Sequence, residues 1–184
     1  MSEQQNVEIL RRGYALWNDT KANSVAHWLD LIADDVHWRS LADGATGMEF
    51  TGACACKADV QRYFANLADQ WAMNYYSVDE FIAQGDRVVM IGRCGWRNKK
   101  TGATLDTPKV DIIKMRDSRI VDFFELYDTA KALAAARGAA ATPKSRQRPK
   151  AAARAKSAKS AKSRTTRKPA RRKPAKARKS RKSR

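Results

Sequence analysis

The side chains best placed to do chemistry begin with one alternating stretch. In VDIIKM, residues 110–115, Asp111 alternates with Ile113 and Met115, so the three share one face of a strand. A carboxylate in apolar surroundings is costly unless it is paired, and desolvation raises its pKa. Such a carboxyl can stay protonated and donate a hydrogen bond at neutral pH. Exposure to solvent, or pairing with Arg93 or Lys109, is the competing reading. Asp122 alternates with Ile120 and Phe124, whereas Glu125 has the opposite parity. Simple strand parity turns one of those two acids inward, but not both. Asp106 is a further carboxylate of the same region. His37 alternates with Arg39 and opposes Trp38; imidazole titrates near neutrality and can serve as acid or base. Tyr14 lies on an apolar helix face, where a packed core tyrosine is the alternative. Trp17, Trp38, Phe64, Trp96 and Ile113 either line a cavity or fill one.

Other chemistries find little support. Cys54 and Cys56 form a C-x-C pair, poor for a local disulfide and incomplete as a metal site. His27 and His37 are the two histidines, and His27, beside Trp28, reads as a surface residue. No metal and no cofactor are therefore expected, and no glycine-rich nucleotide loop is present. Cys54, Cys56 and Cys94 read as free thiols in a reducing, cytoplasmic compartment. No stretch approaches 18 apolar residues, so no transmembrane segment is expected.

The elements that must position these groups follow from periodicity. Val7, Leu10, Tyr14 and Trp17 recur at helical steps, giving a helix over 5–18. A second helix starts at Asn23 or Ser24, with Trp28, Leu31 and Ile32 apolar. Val36–Trp38 reads as a short strand, 41–56 as a loop crossing, and Ala58–Trp71 as a third helix. Period two then takes over, with strands at 74–83, 87–97, 104–115 and 119–127 and a closing helix, Asp128–Arg137, capped by Asp128. Helices first and adjacent strands after argue an α+β fold, one curved antiparallel sheet packed against N-terminal helices.

Residues 7–35, VEILRRGYALWNDTKANSVAHWLDLIADD, and 81–128, FIAQGDRVVMIGRCGW through DIIKMRDSRIVDFFELYD, resemble the SnoaL-like, ketosteroid-isomerase-related branch of the NTF2-like superfamily. The resemblance covers roughly 7–135 and is most specific at its closing pattern, Arg-Asp-Ser-Arg-Ile-Val followed by Phe-x-Glu-x-Tyr-Asp. It implies a cone-shaped α+β barrel, often dimeric, with a pocket between sheet and helices. In the ketosteroid isomerases a first-helix tyrosine and a protonated late-strand aspartic acid stabilise an enolate. Tyr14 and Asp111 fall at the matching places. The matching position of the aspartate base is Ser40, and a serine does not abstract a carbon-bound proton at neutral pH without a base of its own. Steroid isomerisation is therefore not implied, though the donor pair is.

Charge divides the chain. Residues 1–142 hold all 19 Asp/Glu and 17 of the 37 Lys/Arg. The remaining 20 basic residues follow without a single acid: Lys144, Arg146, Arg148, Lys150, Arg154, Lys156, Lys159, Lys162, Arg164, Arg167, Lys168, Arg171, Arg172, Lys173, Lys176, Arg178, Lys179, Arg181, Lys182 and Arg184. This arm, rich in Ala, Lys, Arg, Ser and Pro, has too little apolar surface to offset its ordering entropy and reads as disordered. Its composition resembles linker-histone tails. Its charge suits DNA or another polyanion, contacted through phosphates without sequence preference; the arm has no aromatic residue for base stacking. The expected division is a SnoaL-like domain at 1–137 and a basic tail at 138–184. The expected function is binding of a small apolar or carbonyl-bearing molecule, with isomerase, hydratase or hydrolase chemistry, beside a nucleic-acid-binding tail. The alternative is a non-enzymatic homodimerisation module that presents two arms. Such a protein is expected in the cytoplasm, nucleoid-associated in a bacterium or nuclear in a eukaryote.

Overall fold

A computed structural model of the chain describes residues 2–138. The basic arm, with every phosphate-contact residue named above, lies outside the described residues.

Helix α1 (Glu3–Asp19) starts from a capping box, Ser2 Oγ accepting from Gln5 N at 3.2 Å and Gln5 Oε1 from Ser2 N at 2.9 Å. Its apolar stripe buries Leu10, Tyr14 and Trp17. Helix α2 (Val25–Leu31) buries Trp28, and α3 (Lys57–Gln70) buries Val60, Tyr63 and Phe64. Helix α4 (Thr129–Arg137) is capped by Asp128, which accepts from Lys131 N at 3.0 Å, and ends at Gly138 with φ +71°.

Five strands form the sheet: β1 (Ile32–Ser40), β2 (Trp71–Gln84), β3 (Arg87–Asn98), β4 (Thr104–Arg116) and β5 (Arg119–Tyr127). β1 is longer than the Val36–Trp38 segment that the sequence suggests, because Ala33-Asp34-Asp35 is already extended. Trp71, expected to close α3, is the first residue of β2.

The expected antiparallel, cone-shaped barrel is not what forms. The strand order is β1-β5-β4-β3-β2, and β1 runs parallel to β5 while the other neighbours are antiparallel. The sheet is mixed and open, with β1 and β2 as its unpaired edges. Two features account for this. β1 leaves the sheet through the 41–56 crossing and α3 rather than a hairpin, which frees it to align with β5. Helix α3 packs against both edge strands, so side chains occupy the place where barrel-closing hydrogen bonds would be.

Strand parity sends Leu105, Thr107, Lys109, Asp111, Ile113 and Met115 of β4 to the buried face. Two strands change parity on the way. β2 has register breaks between Met73 and Tyr75 and between Val78 and Glu80, so Met73 and Tyr76 are both buried. The β4–β5 ladder breaks between Lys114 and Met115. Ile120, Phe123 and Glu125 thereby all turn inward, and Asp122 parts from the Ile120 face that simple alternation gave it. At the second β2 break the backbones come close: a Cβ on Gly92 would stand 2.1 Å from the Ser77 carbonyl oxygen. Gly92→Ala is expected to cost about 3 kcal/mol, read as a lower midpoint in urea denaturation; an unchanged midpoint would show that the β2 break is not held by this contact.

Candidate functional site

A cavity of about 90 Å³ lies between the inner face of the sheet and the helices. All five tryptophans of the chain line it, Trp17 and Trp28 from α1 and α2, Trp38, Trp71 and Trp96 from the strands. Rings pack on one another around it: Tyr14 edge-on to Trp28 at 5.0 Å, Trp38 stacked on Phe123 at 3.7 Å, Trp17 against Phe64 at 5.5 Å between centroids. The crossing loop adds Met48, Phe50 and Thr51 to the wall.

One part of that wall is ionic. Asp111 on β4 and Glu125 on β5 are cross-strand partners, and Lys109 precedes Asp111 by two residues on the same face. Lys109, Asp111 and Glu125 are 6%, 1% and 6% exposed. Lys109 Nζ donates to Asp111 Oδ1 at 2.7 Å and to Glu125 Oε2. Asp111 Oδ2 accepts from Tyr14 OH at 2.7 Å and from Tyr76 OH at 2.8 Å, and Glu125 Oε1 accepts from Tyr63 OH at 2.9 Å. Every carboxylate oxygen of the pair has a donor. Lys109 also stands over the Tyr127 ring, 5.3 Å from its centroid.

Two carboxylates against one ammonium would leave a net negative charge away from water, which is unfavourable. Asp111 responds with a raised pKa, first because it is buried and also because of Glu125; Lys109 and the bonds from Lys109 and Tyr14 pull the other way. Burial works against the charge on Lys109, but the two carboxylates outweigh it and its pKa rises. Lys109 is therefore an ammonium at neutral pH, a hydrogen-bond donor and not an amine nucleophile. Burial, then the neighbouring carboxylates, pushes Tyr14, Tyr63, Tyr76 and Tyr127 well above the ordinary tyrosine range. Burial holds the Cys94 thiol, also on the cavity wall, at about 11, so no thiolate is available there.

The structure thus brings Tyr14 and Asp111 into direct contact and adds Glu125 through Lys109. Ser40 is buried one hydroxyl further back, 3.1 Å from Tyr127 OH. His37 and Asp122 are on the opposite face of the sheet, where Asp122 accepts from Arg39 Nη2 at 2.8 Å and His37 Nδ1 stands 3.8 Å away. Asp106 is also on that face, accepting from Tyr75 OH at 2.7 Å and from Arg93. Trp17, Trp38, Phe64 and Trp96 line the cavity; Ile113 is fully buried in the core and does not. Lys109, Tyr63, Tyr76 and Tyr127 are the residues that sequence reasoning did not place in the site. The parity of Lys109 with Asp111 and the helical stripe shared by Tyr63 and Phe64 carried a signal; the β2 break hid Tyr76. Among the described residues no group of three or more His, Cys, Asp and Glu side chains is placed to hold a metal ion.

A SnoaL-like domain family matches residues 10–123. The chain belongs to the SnoaL-like family. An NTF2-like protein from Burkholderia xenovorans is 25% identical, with 74% of this chain and 98% of that one covered at a TM-score of 0.62. An NTF2-like protein of unknown function from Burkholderia pseudomallei is 23% identical (73% and 98% covered, TM-score 0.63), and another from Burkholderia thailandensis is 22% identical (73% and 98%, 0.60). The two latter likenesses concern the fold alone. No curated protein matches the sequence. Within this SnoaL-like domain no helix is long and apolar enough to cross a membrane, among the described residues.

The cluster sets two expectations. Lys109→Met leaves two buried carboxylates facing each other and is expected to cost about 3–5 kcal/mol. The triple variant Lys109→Met, Asp111→Asn, Glu125→Gln should recover much of that loss in chemical denaturation, and equal losses in both would argue against a charge effect. The tyrosines predict alkaline sensitivity. The unfolded chain releases its phenolic protons near pH 10, whereas the buried tyrosines keep theirs, so stability falls as pH rises above about 10. Tyrosinate absorbance should then lag in the native protein and rise together with unfolding; a smooth titration near pH 10 with the fold intact would contradict the burial.

Proposed function

We propose that the SnoaL-like domain, residues 1–137, binds a small apolar, carbonyl-bearing molecule and moves a proton on it without metal or nucleotide cofactor, an isomerase-, hydratase- or hydrolase-type chemistry. The observation that supports this most is the Lys109–Asp111–Glu125 cluster on the wall of an otherwise aromatic cavity. Tyr14 and Tyr76 can turn from Asp111 to a ligand oxygen, and with Lys109 they would stabilise an oxyanion in a site of low dielectric. One carboxylate of the pair would take or return the proton; Asp111, with its raised pKa, suits transfer nearer neutrality than a free carboxyl does. Ser40 is not asked to act as a base.

The test is solvent-deuterium exchange at the α-carbon of a panel of small cyclic ketones, followed by NMR. Asp111→Asn or Glu125→Gln is expected to lower the exchange rate by about 10²–10⁴-fold, and Tyr14→Phe to lower it as well, with folding unchanged. No exchange by the wild-type protein on any ketone of the panel would remove the catalytic reading.

The basic arm, 138–184, binds DNA through its phosphates in this reading, which places the protein in the cytoplasm, on the nucleoid if the cell is bacterial. Twenty cations without an acid in 143–184 support it. If about ten phosphates are neutralised, the log–log salt slope of binding is about −9. Equal affinity of the full chain and of a version cut at Thr142, at low salt, would refute the arm's role.

A second reading, a homodimerisation module presenting two arms, is favoured by the outer face of the sheet. There Val89, Ile112 and Phe124 form one cross-strand row and Ile91, Val110 and Leu126 the next, all half-buried. A solvated sheet face normally carries polar residues. Both charge signs border these rows, in the Arg39–Asp122 and Arg93–Asp106 pairs, which suits a second copy of the same face. Sedimentation should then find a dimer that Ile112→Glu dissociates; a monomeric wild-type protein would exclude this reading.

A further inference from the structure

The hydrogen-bond inventory of the cavity is unbalanced in one direction. Trp28, Trp38 and Trp71 all line it, each is 3% exposed, and each has an indole Nε1 with no hydrogen-bond partner. Buried tryptophan N–H groups ordinarily find an acceptor, and an orphaned buried donor is costly. The acceptors of the cavity wall are already committed. All four carboxylate oxygens of Asp111 and Glu125 accept from Lys109 or a tyrosine. Thr107 Oγ1 donates to Pro108 O and accepts from Asp128 N, and Thr51 Oγ1 donates to Met48 O and accepts from Gly44 N. Lys109 has three N–H donors, two of which have carboxylate partners. The wall has donors to spare.

From this inventory we infer that the ligand of the cavity is a neutral ring compound that brings hydrogen-bond acceptors, carbonyl or ether oxygens, to the tryptophan N–H groups, and brings no cation. The inference rests on the proposal that the cavity binds a small molecule and adds which molecules it selects. Charge supports neutrality from both sides. A ligand ammonium would meet the Lys109 ammonium and carboxylate oxygens already occupied; a ligand carboxylate would add a third negative group to a site whose Asp111 already resists ionisation. The apolar rings supply the remaining contact area, which suits a ring more than a flexible polar chain. The selection is thus made by donors on an aromatic wall, at side chains apart from the Tyr14–Asp111 contact.

The test uses three probes of one skeleton: indane, 1-indanone and 1-aminoindane. Binding to the full-length protein is read from intrinsic fluorescence, which all five cavity tryptophans report. 1-Indanone is expected to bind about tenfold more tightly than indane, and more tightly still than 1-aminoindane, a cation at neutral pH. Trp38→Phe removes one N–H while keeping an aromatic ring, and should narrow the gap between 1-indanone and indane with indane binding unchanged; Trp71→Phe serves as a second, independent variant. Equal affinity for indane and 1-indanone would overturn the inference and leave the small-molecule reading standing. Tightest binding of 1-aminoindane would overturn it in favour of a cation-selective aromatic cage. Failure of all three to bind would remove both the inference and the reading beneath it.

Discussion

Lys109 between Asp111 and Glu125 is the constraint on which the interior of this domain depends. Three ionisable side chains lie on two neighbouring strands, all but fully removed from water. Desolvating them is expensive, and their mutual attraction offsets this only because each remaining lone pair has a partner. Tyr14, Tyr76 and Tyr63 provide those partners from α1, β2 and α3. One cluster therefore pins three separate elements to the middle of the sheet. It also fixes a polar end for a cavity whose other walls are aromatic.

The sheet reaches this arrangement through irregularity. With simple alternation, Ile120 and Glu125 would occupy opposite faces; the break in the β4–β5 ladder turns both inward. The break in β2 does the same for Met73 and Tyr76. The openness of the sheet has a similar origin. β1 lies parallel to β5, α3 touches both edges, and the interior is closed by side chains from helices and from the 41–56 crossing. A closed ladder is not needed to exclude water when two tryptophans, Trp38 and Trp71, come from the two edge strands themselves.

Much of this was legible in the sequence where periodicity is strong. The stripe Leu10, Tyr14, Trp17 marks α1, and the stripe Val60, Tyr63, Phe64 marks α3. Asp111 stood out because its parity with Ile113 and Met115 made an inward carboxylate the economical reading. Its partner was named only among alternatives, since parity places Lys109 on the same face without showing that the ammonium turns toward Asp111. The residues that escaped are those behind breaks in register. Tyr76 and the true parity of Asp122 depend on backbone departures that no local composition announces. Strand direction escaped for a different reason: whether β1 lies parallel to β5 is decided by the crossing of 41–56 and α3, a long-range connection that alternation within β1 does not encode.

The central claim is that Asp111 is a buried carboxyl held against its own ionisation by burial and rescued by one ammonium. The most direct test is a pH titration of the Asp111 side-chain carboxyl carbon by NMR, in the wild-type protein and in Lys109→Met. The account predicts a midpoint above the ordinary aspartate value of about 4 in the wild type, moving further upward when the ammonium is removed. A wild-type midpoint at or below the ordinary value, or one indifferent to the loss of Lys109, would contradict it.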